Sequence, residues 1–159
     1  KSSSQKEAYS RFFPNKTRVV PDIEDSRSPL VGALTGFENA QSDYSSLLPC
    51  DTPFVSKQVL ELLFELSQNV DAVIPRWPNG YIEPLQAAYR TSSALSAAKK
   101  ALEKGETTMR SMIPFLGRVR YLSTIVIEEL NPHLTTFFNV NTPMDLKKAE
   151  RLFEKNRDR

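Results

Sequence analysis

Apolar residues recur along this chain in short runs, many of them closed by proline, asparagine or glycine. Residues 55–66 place Val59, Leu60, Leu62, Leu63, Phe64 and Leu66 at helical spacing, which predicts a well-buried amphipathic helix ending near Asn69. Residues 92–104 read as an alanine- and lysine-rich helix stopped by Gly105, the residue type preferred just past a helix end. Residues 29–37 carry a proline in their predicted first turn. Residues 107–116 suggest a short helix with a threonine cap, interrupted by Pro114. Residues 143–153 predict a closing helix with Leu146, Ala149, Leu152 and Phe153 on one face.

Between these helices lie β-forming segments at residues 17–20, 44–48, 71–75 and 119–122, and one beginning at Thr135. Residues 123–128 are open between strand and helix, their β-branched run favouring strand. Residues 81–90 form an apolar segment interrupted by Glu83. The alternation of strand and helix, with no internal repeat, predicts one domain: a three-layer α/β/α sandwich around a mostly parallel sheet. Residues 1–16 are polar, with an apolar fragment at Tyr9, Phe12 and Phe13 that suits the end of a helix.

The stretch with most chemical content is Tyr44-Ser-Ser-Leu-Leu-Pro-Cys-Asp51-Thr-Pro-Phe54. A strand leading into a single carboxylate and then a proline puts Asp51 at a carboxyl edge, where open α/β sheets bind ligands. A carboxylate beside a nucleoside triphosphate is a suitable ligand for Mg²⁺. On spacing alone two other roles stay open: capping the helix that begins near Ser56, or shaping the Asp-Thr-Pro turn. Asp22 follows residues 17–20 in the same way, and Asn139 and Asn141 follow the segment at Thr135, so three groups are expected along one edge. The acidic, serine-containing loop at residues 23–28 is of the kind that covers a site, or simply connects. Gly32 and Gly36 allow either close approach of a ligand or tight helix packing. Glu83, before Pro84, is held out of helical geometry and points at a ligand or at water. Trp77 reads first as a loop packing anchor.

Composition narrows the class. With 159 residues, 40% of them hydrophobic and 25% charged, the chain is large enough for a folded core. A net charge of +2 gives no strong field for nucleic acid. The basic cluster at Lys147, Lys148, Arg151, Lys155, Arg157 and Arg159 reads as the solvated face of a last helix. Cys50 is the single cysteine, which rules out an internal disulfide and suits a reducing cytoplasm. No apolar run reaches the length of a membrane span. The lone His133 has no histidine or cysteine partner pattern around it and reads as a loop residue.

Taken in order, Val20-Pro-Asp22, Ser28-Pro-Leu-Val-Gly32-Ala-Leu, Leu48-Pro-Cys-Asp51-Thr-Pro-Phe54, Asn79-Gly-Tyr-Ile-Glu-Pro-Leu85 and Phe138-Asn-Val-Asn-Thr-Pro-Met-Asp-Leu146 resemble the molybdenum cofactor guanylyltransferases over residues 18–150. The resemblance implies a Rossmann-like nucleotidyltransferase fold and transfer of GMP from GTP to molybdopterin, with release of pyrophosphate. It implies Asp51 as the Mg²⁺ ligand and catalytic residue, and Asp22, Pro29, Leu30 and Gly32 as the segment around the guanine nucleotide. Glu83, Asn139 and Asn141 are implied on the molybdopterin side. GTP and molybdopterin are the implied small-molecule partners, with transient contact to molybdoenzymes, no nucleic acid, no membrane and a cytoplasmic location.

Two departures accompany the resemblance. Ser28 stands where the family usually has glycine. The family also opens with a strand and a glycine-rich loop whose amides and cations hold the triphosphate, and nothing in the sequence supplies that loop. A preceding segment of about 40 residues is therefore expected, by the size of a β-loop-α unit plus a second strand, and the chain without it is expected to be inactive. Sibling enzymes using CTP with molybdopterin, or GTP with cobinamide phosphate, are the nearest alternatives. A non-catalytic nucleotide-binding module that lost the phosphate loop is the third.

Overall fold

The computed structural model describes residues 17–23 and 28–157. The apolar fragment at Tyr9, Phe12 and Phe13 and most of the acidic loop lie outside the described residues. Helix α1 (Pro29–Asn39) begins where the Ser28 hydroxyl accepts a hydrogen bond from the Val31 amide at 3.2 Å, with Pro29 in the first turn. Strand β1 (Tyr44–Leu47) follows, then α2 (Lys57–Glu65), which is capped by Ser56. Strands β2 (Ala72–Arg76) and β3 (Ala87–Arg90) come next, and β3 runs without a break into α3 (Thr91–Glu103). A 3-10 turn (Met109–Phe115), capped by Thr108, leads to β4 (Val119–Ser123) and directly into α4 (Thr124–Leu130). A second 3-10 segment (Pro132–Phe137) and helix α5 (Pro143–Arg157) close the described chain.

The sheet has four strands in the order β1-β3-β2-β4. β3 is antiparallel to both neighbours, while β2 and β4 are parallel. It follows that β1, β2 and β4 point the same way and that Leu47, Arg76 and Ser123 end on one edge. Side chains alternate between two cores, as the pleat requires. Ala72, Ile74, Ala87 and Tyr89 face α1 and the alanine stripe of α3, where Ala94, Ala97, Ala98 and Ala101 are fully buried. Val73 and Ala88 face Val59 and Leu63 of α2 and Ile127 of α4. Helices on both faces make the three-layer sandwich expected from the sequence, around a mixed sheet in which β1, β2 and β4 run parallel and the inserted β3 makes the pairings β1-β3 and β3-β2 antiparallel. Phe37 meets the buried Tyr89 edge-on at 5.6 Å, a contact worth about 1 kcal/mol beyond area burial. That contact lies over the amino edge of β2, because Tyr89 pairs with Ala72.

Asp71 braces the opposite edge. Its Oδ2 accepts from the amides of Gly117 at 2.9 Å and Arg118 at 2.8 Å, and its Oδ1 accepts from the Ser93 hydroxyl at 2.7 Å. These bonds, the Ser93 hydroxyl first, hold the carboxyl below its ordinary range. A Cβ on Gly117 would stand 2.9 Å from Oδ2, so only glycine lets the two meet.

Several sequence expectations are corrected. Residues 17–20 form no strand among the described residues; Arg18 instead donates to the Asn39 carbonyl. Residues 124–130 are helical despite their β-branching, because the Ser123 hydroxyl accepts from the Ile125 amide and turns Thr124 and Ile127 inward. The segment at Thr135 is a 3-10 turn: Asn131 Oδ1 accepts from the Thr136 amide at 2.8 Å and the Thr135 hydroxyl at 3.2 Å, a local closure that replaces strand pairing. Strand β3, unforeseen, lies inside the sheet. On α5 only Ala149 of the expected apolar face is buried; Leu146 and Phe153 are exposed.

Candidate functional site

The Asp51 turn begins where β1 ends. Asp51 lies in a turn beyond Leu47 rather than at the last strand residue. The buried Thr52 closes the turn by donating its hydroxyl to the Pro49 carbonyl at 3.0 Å. Capping of α2 belongs to Ser56, whose hydroxyl accepts from the Val59 amide. Asp51 is thus not the helix cap, and its half-buried carboxylate has no hydrogen-bond or ion-pair partner among the described residues.

Tertiary contacts then bring Asn139 and Asn141 to this turn. The Val140 amide donates to the Asp51 carbonyl at 2.8 Å, so the two asparagines flank a residue bonded to the turn itself. Both are exposed. Phe54 and Phe138 pack with ring centroids 6.1 Å apart. Beneath them, the buried Thr136 hydroxyl accepts from the Ser56 amide at 3.1 Å and donates to Gln86 Oε1 at 3.1 Å. Gln86 returns a bond from Nε2 to the Thr136 carbonyl at 2.6 Å. Thr136 and Gln86 lock the two loops together, and neither was singled out in the sequence. A lone threonine and glutamine carry no pattern that would have found them.

Glu83 lies in the same wall. Its Oε1 accepts from the Trp77 indole N–H at 2.7 Å, its amide donates to the Pro75 carbonyl, and Trp77 packs on Phe137 at 5.8 Å. Burial pushes the Glu83 carboxyl up, and the indole hydrogen bond partly opposes this. Trp77 is therefore an anchor for the segment that carries Glu83.

The first turn of α1 gathers the other expected residues. Asp22 does not follow a strand; the Ile23 amide donates to Thr35 Oγ1 at 3.1 Å, which ties its segment to the helix. Asp22 Oδ1 lies 3.9 Å from where a Gly32 Cβ would stand. Asp22, Pro29 and Gly32 are exposed, whereas the Leu30 side chain is fully buried in the core, leaving only its backbone for a ligand. In the Asn139–Leu146 motif, Thr142 and Asp145 cap α5 reciprocally: the Thr142 amide donates to Asp145 Oδ2 and the Asp145 amide to Thr142 Oγ1.

No cluster of three or more histidine, cysteine or acidic side chains is placed to hold a metal among the described residues. A single hard carboxylate without a protein partner suits Mg²⁺, which keeps its waters and takes substrate phosphates as its remaining ligands. The residues present fit that ion and do not fit a fully protein-ligated metal such as structural zinc.

A sheet sandwiched between helices, with a free carboxylate and two asparagines at its carboxyl edge, belongs to the class of Rossmann-like nucleotidyltransferase folds. A family model described as the MobA-like NTP transferase domain matches residues 2–119, and the chain belongs to that family. A probable molybdenum cofactor guanylyltransferase of Methanosarcina mazei is 32% identical over 151 residues, covering 92% of this chain and 67% of that protein. The molybdenum cofactor guanylyltransferase of Desulfosudis oleivorans is 32% identical over 133 residues, covering 83% of this chain and 64% of its own length. The chain thus spans about two thirds of the length of these curated relatives. Among solved structures, molybdopterin-guanine dinucleotide biosynthesis protein A of Archaeoglobus fulgidus superposes with a TM-score of 0.80 at 27% identity, covering 97% of this chain and 76% of that one. A 2-C-methyl-D-erythritol 4-phosphate cytidylyltransferase from Thermus thermophilus shares the fold, with a TM-score of 0.62 at 18% identity, covering 89% of this chain and 79% of that one.

Proposed function

We propose that this chain carries the acceptor side and part of the nucleotide side of a molybdenum cofactor guanylyltransferase. The reaction joins the terminal phosphate of molybdopterin to the α-phosphorus of GTP: a phosphate oxygen forms the new P–O bond as the α–β bond breaks, and pyrophosphate leaves. The observation that carries this reading is the bond from the Val140 amide to the Asp51 carbonyl. It holds the backbone of the Asp51 turn beside the segment that carries Asn139 and Asn141, which supports their acting on one substrate.

Each group has a defined task in this scheme. Asn139 and Asn141 donate N–H bonds to the acceptor phosphate and orient it toward the nucleotide. Asp22 accepts N–H bonds from the guanine edge, and Gly32, lacking a side chain, leaves room beside it. An acceptor phosphate is already ionised near neutral pH and needs no general base. Asp51 is the residue that would hold Mg²⁺, which when bound offsets phosphate charge. The Thr136–Gln86 pair keeps these loops in place and touches no substrate.

The test uses the complete natural chain with GTP, Mg²⁺ and molybdopterin, following pyrophosphate release. Asp51→Ala is expected to lower turnover by about a hundredfold or more, while shifting stability by no more than about 0.5 kcal/mol, as for a surface residue without partners. Normal turnover in that variant would refute the role given to Asp51. Stronger thermal protection by CTP than by GTP, each with Mg²⁺, would overturn the choice of nucleotide.

A further inference from the structure

Thr35 stands three residues past Gly32, on the same side of α1, and is only 2% exposed. Its hydroxyl donates to the Val31 carbonyl at 2.9 Å, which by itself satisfies a buried threonine in a helix. It also accepts from the Ile23 amide at 3.1 Å, a group outside the helix. Residues 17–23 form no strand among the described residues, and this is the one hydrogen bond their main chain makes to them. The far end of the segment is tied to the same helix: Arg18 donates to the Asn39 carbonyl, and Asn39 Nδ2 donates to the Thr35 carbonyl at 2.9 Å. Residues 18–23 thus run along α1 toward its first turn, where Asp22 Oδ1 lies 3.9 Å from the place of a Gly32 Cβ.

Asp22 is exposed, so packing does not fix its carboxylate and its backbone must. Guanine offers an N1–H and an N2–H side by side, a match for the two oxygens of a carboxylate; hypoxanthine lacks the second donor. Such a pair forms only with both oxygens within about 0.5 Å of their places. Holding them there before the base arrives removes an ordering cost from binding. We propose that Thr35 is a positioning residue for guanine selectivity: its hydroxyl pins the Ile23 amide and thereby aims the neighbouring Asp22 carboxylate at the base edge. This assignment rests on the nucleotide-side role of Asp22, and Thr35 itself touches no substrate.

GTP and inosine triphosphate, each with Mg²⁺, are titrated calorimetrically into the complete chain. The parent is expected to favour GTP about tenfold, the worth of one charge-assisted hydrogen bond. Asp22→Asn is expected to abolish that preference, Thr35→Val to reduce it to about twofold, and Thr35→Ser, which keeps the hydroxyl, to retain it. A ratio of two affinities in one protein does not depend on how much of the sample is folded, so a purely structural role for Thr35 would leave it unmoved. In the unmutated protein, exchange of the Ile23 amide is expected to slow more with GTP than with inosine triphosphate, because a bond that prepares a site is strengthened in turn by the ligand. That measurement stands whether or not the valine variant folds. A parental ratio in Thr35→Val, with the ratio lost in Asp22→Asn, would overturn the role of Thr35 alone, as would equal protection of Ile23 by the two nucleotides. A parental ratio in Asp22→Asn, or no preference in the parent, would overturn the nucleotide-side role of Asp22 and this assignment with it.

Discussion

Thr136→Val is the most direct test of how the site is held. The substitution keeps side-chain volume and removes one hydroxyl. That hydroxyl accepts from the Ser56 amide at 3.1 Å and donates to Gln86 Oε1 at 3.1 Å, with Thr136 1% and Gln86 3% exposed. After substitution both partner groups lose their bond in a region closed to water. An unsatisfied buried group costs about 1–3 kcal/mol. The Ser56 amide is only partly buried and regains some hydration, so the sum is about 2–4 kcal/mol. Against a total stability of about 5–15 kcal/mol this is a large fraction. Thr136→Ser is the control: it keeps the hydroxyl and loses one methyl, at about 0.8 kcal/mol. Urea unfolding measures both, with an unchanged slope expected because the surface exposed on unfolding is the same. Hydrogen exchange at the Val140 amide is expected to quicken in the valine variant, because the loop that bonds to Asp51 loses its anchor. A valine variant no less stable than the serine variant would refute the reasoning.

Two further outcomes follow from the amino-edge brace. The Asp71 carboxyl is held below its ordinary value in the fold, so its contribution to stability is fully present above the unfolded value of about 3.9 and is lost as pH falls through the lower folded value. Asp71→Asn is expected to melt lower at pH 7, by about 1–2 kcal/mol, and to show a shallower loss of melting temperature below pH 4; an acid limb identical to the parent would contradict the assignment. Gly117→Ala drives a methyl to within 2.9 Å of the same oxygen and is expected to destabilise by about 1–3 kcal/mol in thermal melts. Much of that loss should disappear in the Asp71→Ala background, since the clash is with that carboxylate.

Much of the architecture was legible in the chain itself. Helical spacing placed α2 and α3, Gly105 marked the end of α3, and Pro29 marked the start of α1. These are local signals, set by backbone geometry and by side chains a few residues apart. Strand β3 was not legible, because Ala87 and Ala88 have no strand preference of their own. They pair there because small side chains let α3 and α2 close on the two faces of the sheet. The helix at residues 124–130 was hidden by its β-branched composition, which one serine cap outweighs.

The site divides in the same way. Residue type and order alone marked Asp51, Asn139 and Asn141 as groups of interest, since an isolated carboxylate in a proline turn and paired amides are chemical signals carried by the residues themselves. That they share a surface was decided by the tertiary structure, through the Val140–Asp51 bond and the buried Thr136–Gln86 pair beneath it. Short-range preferences are written residue by residue, whereas contacts between distant segments depend on which hydrogen bonds the folded interior leaves to be satisfied.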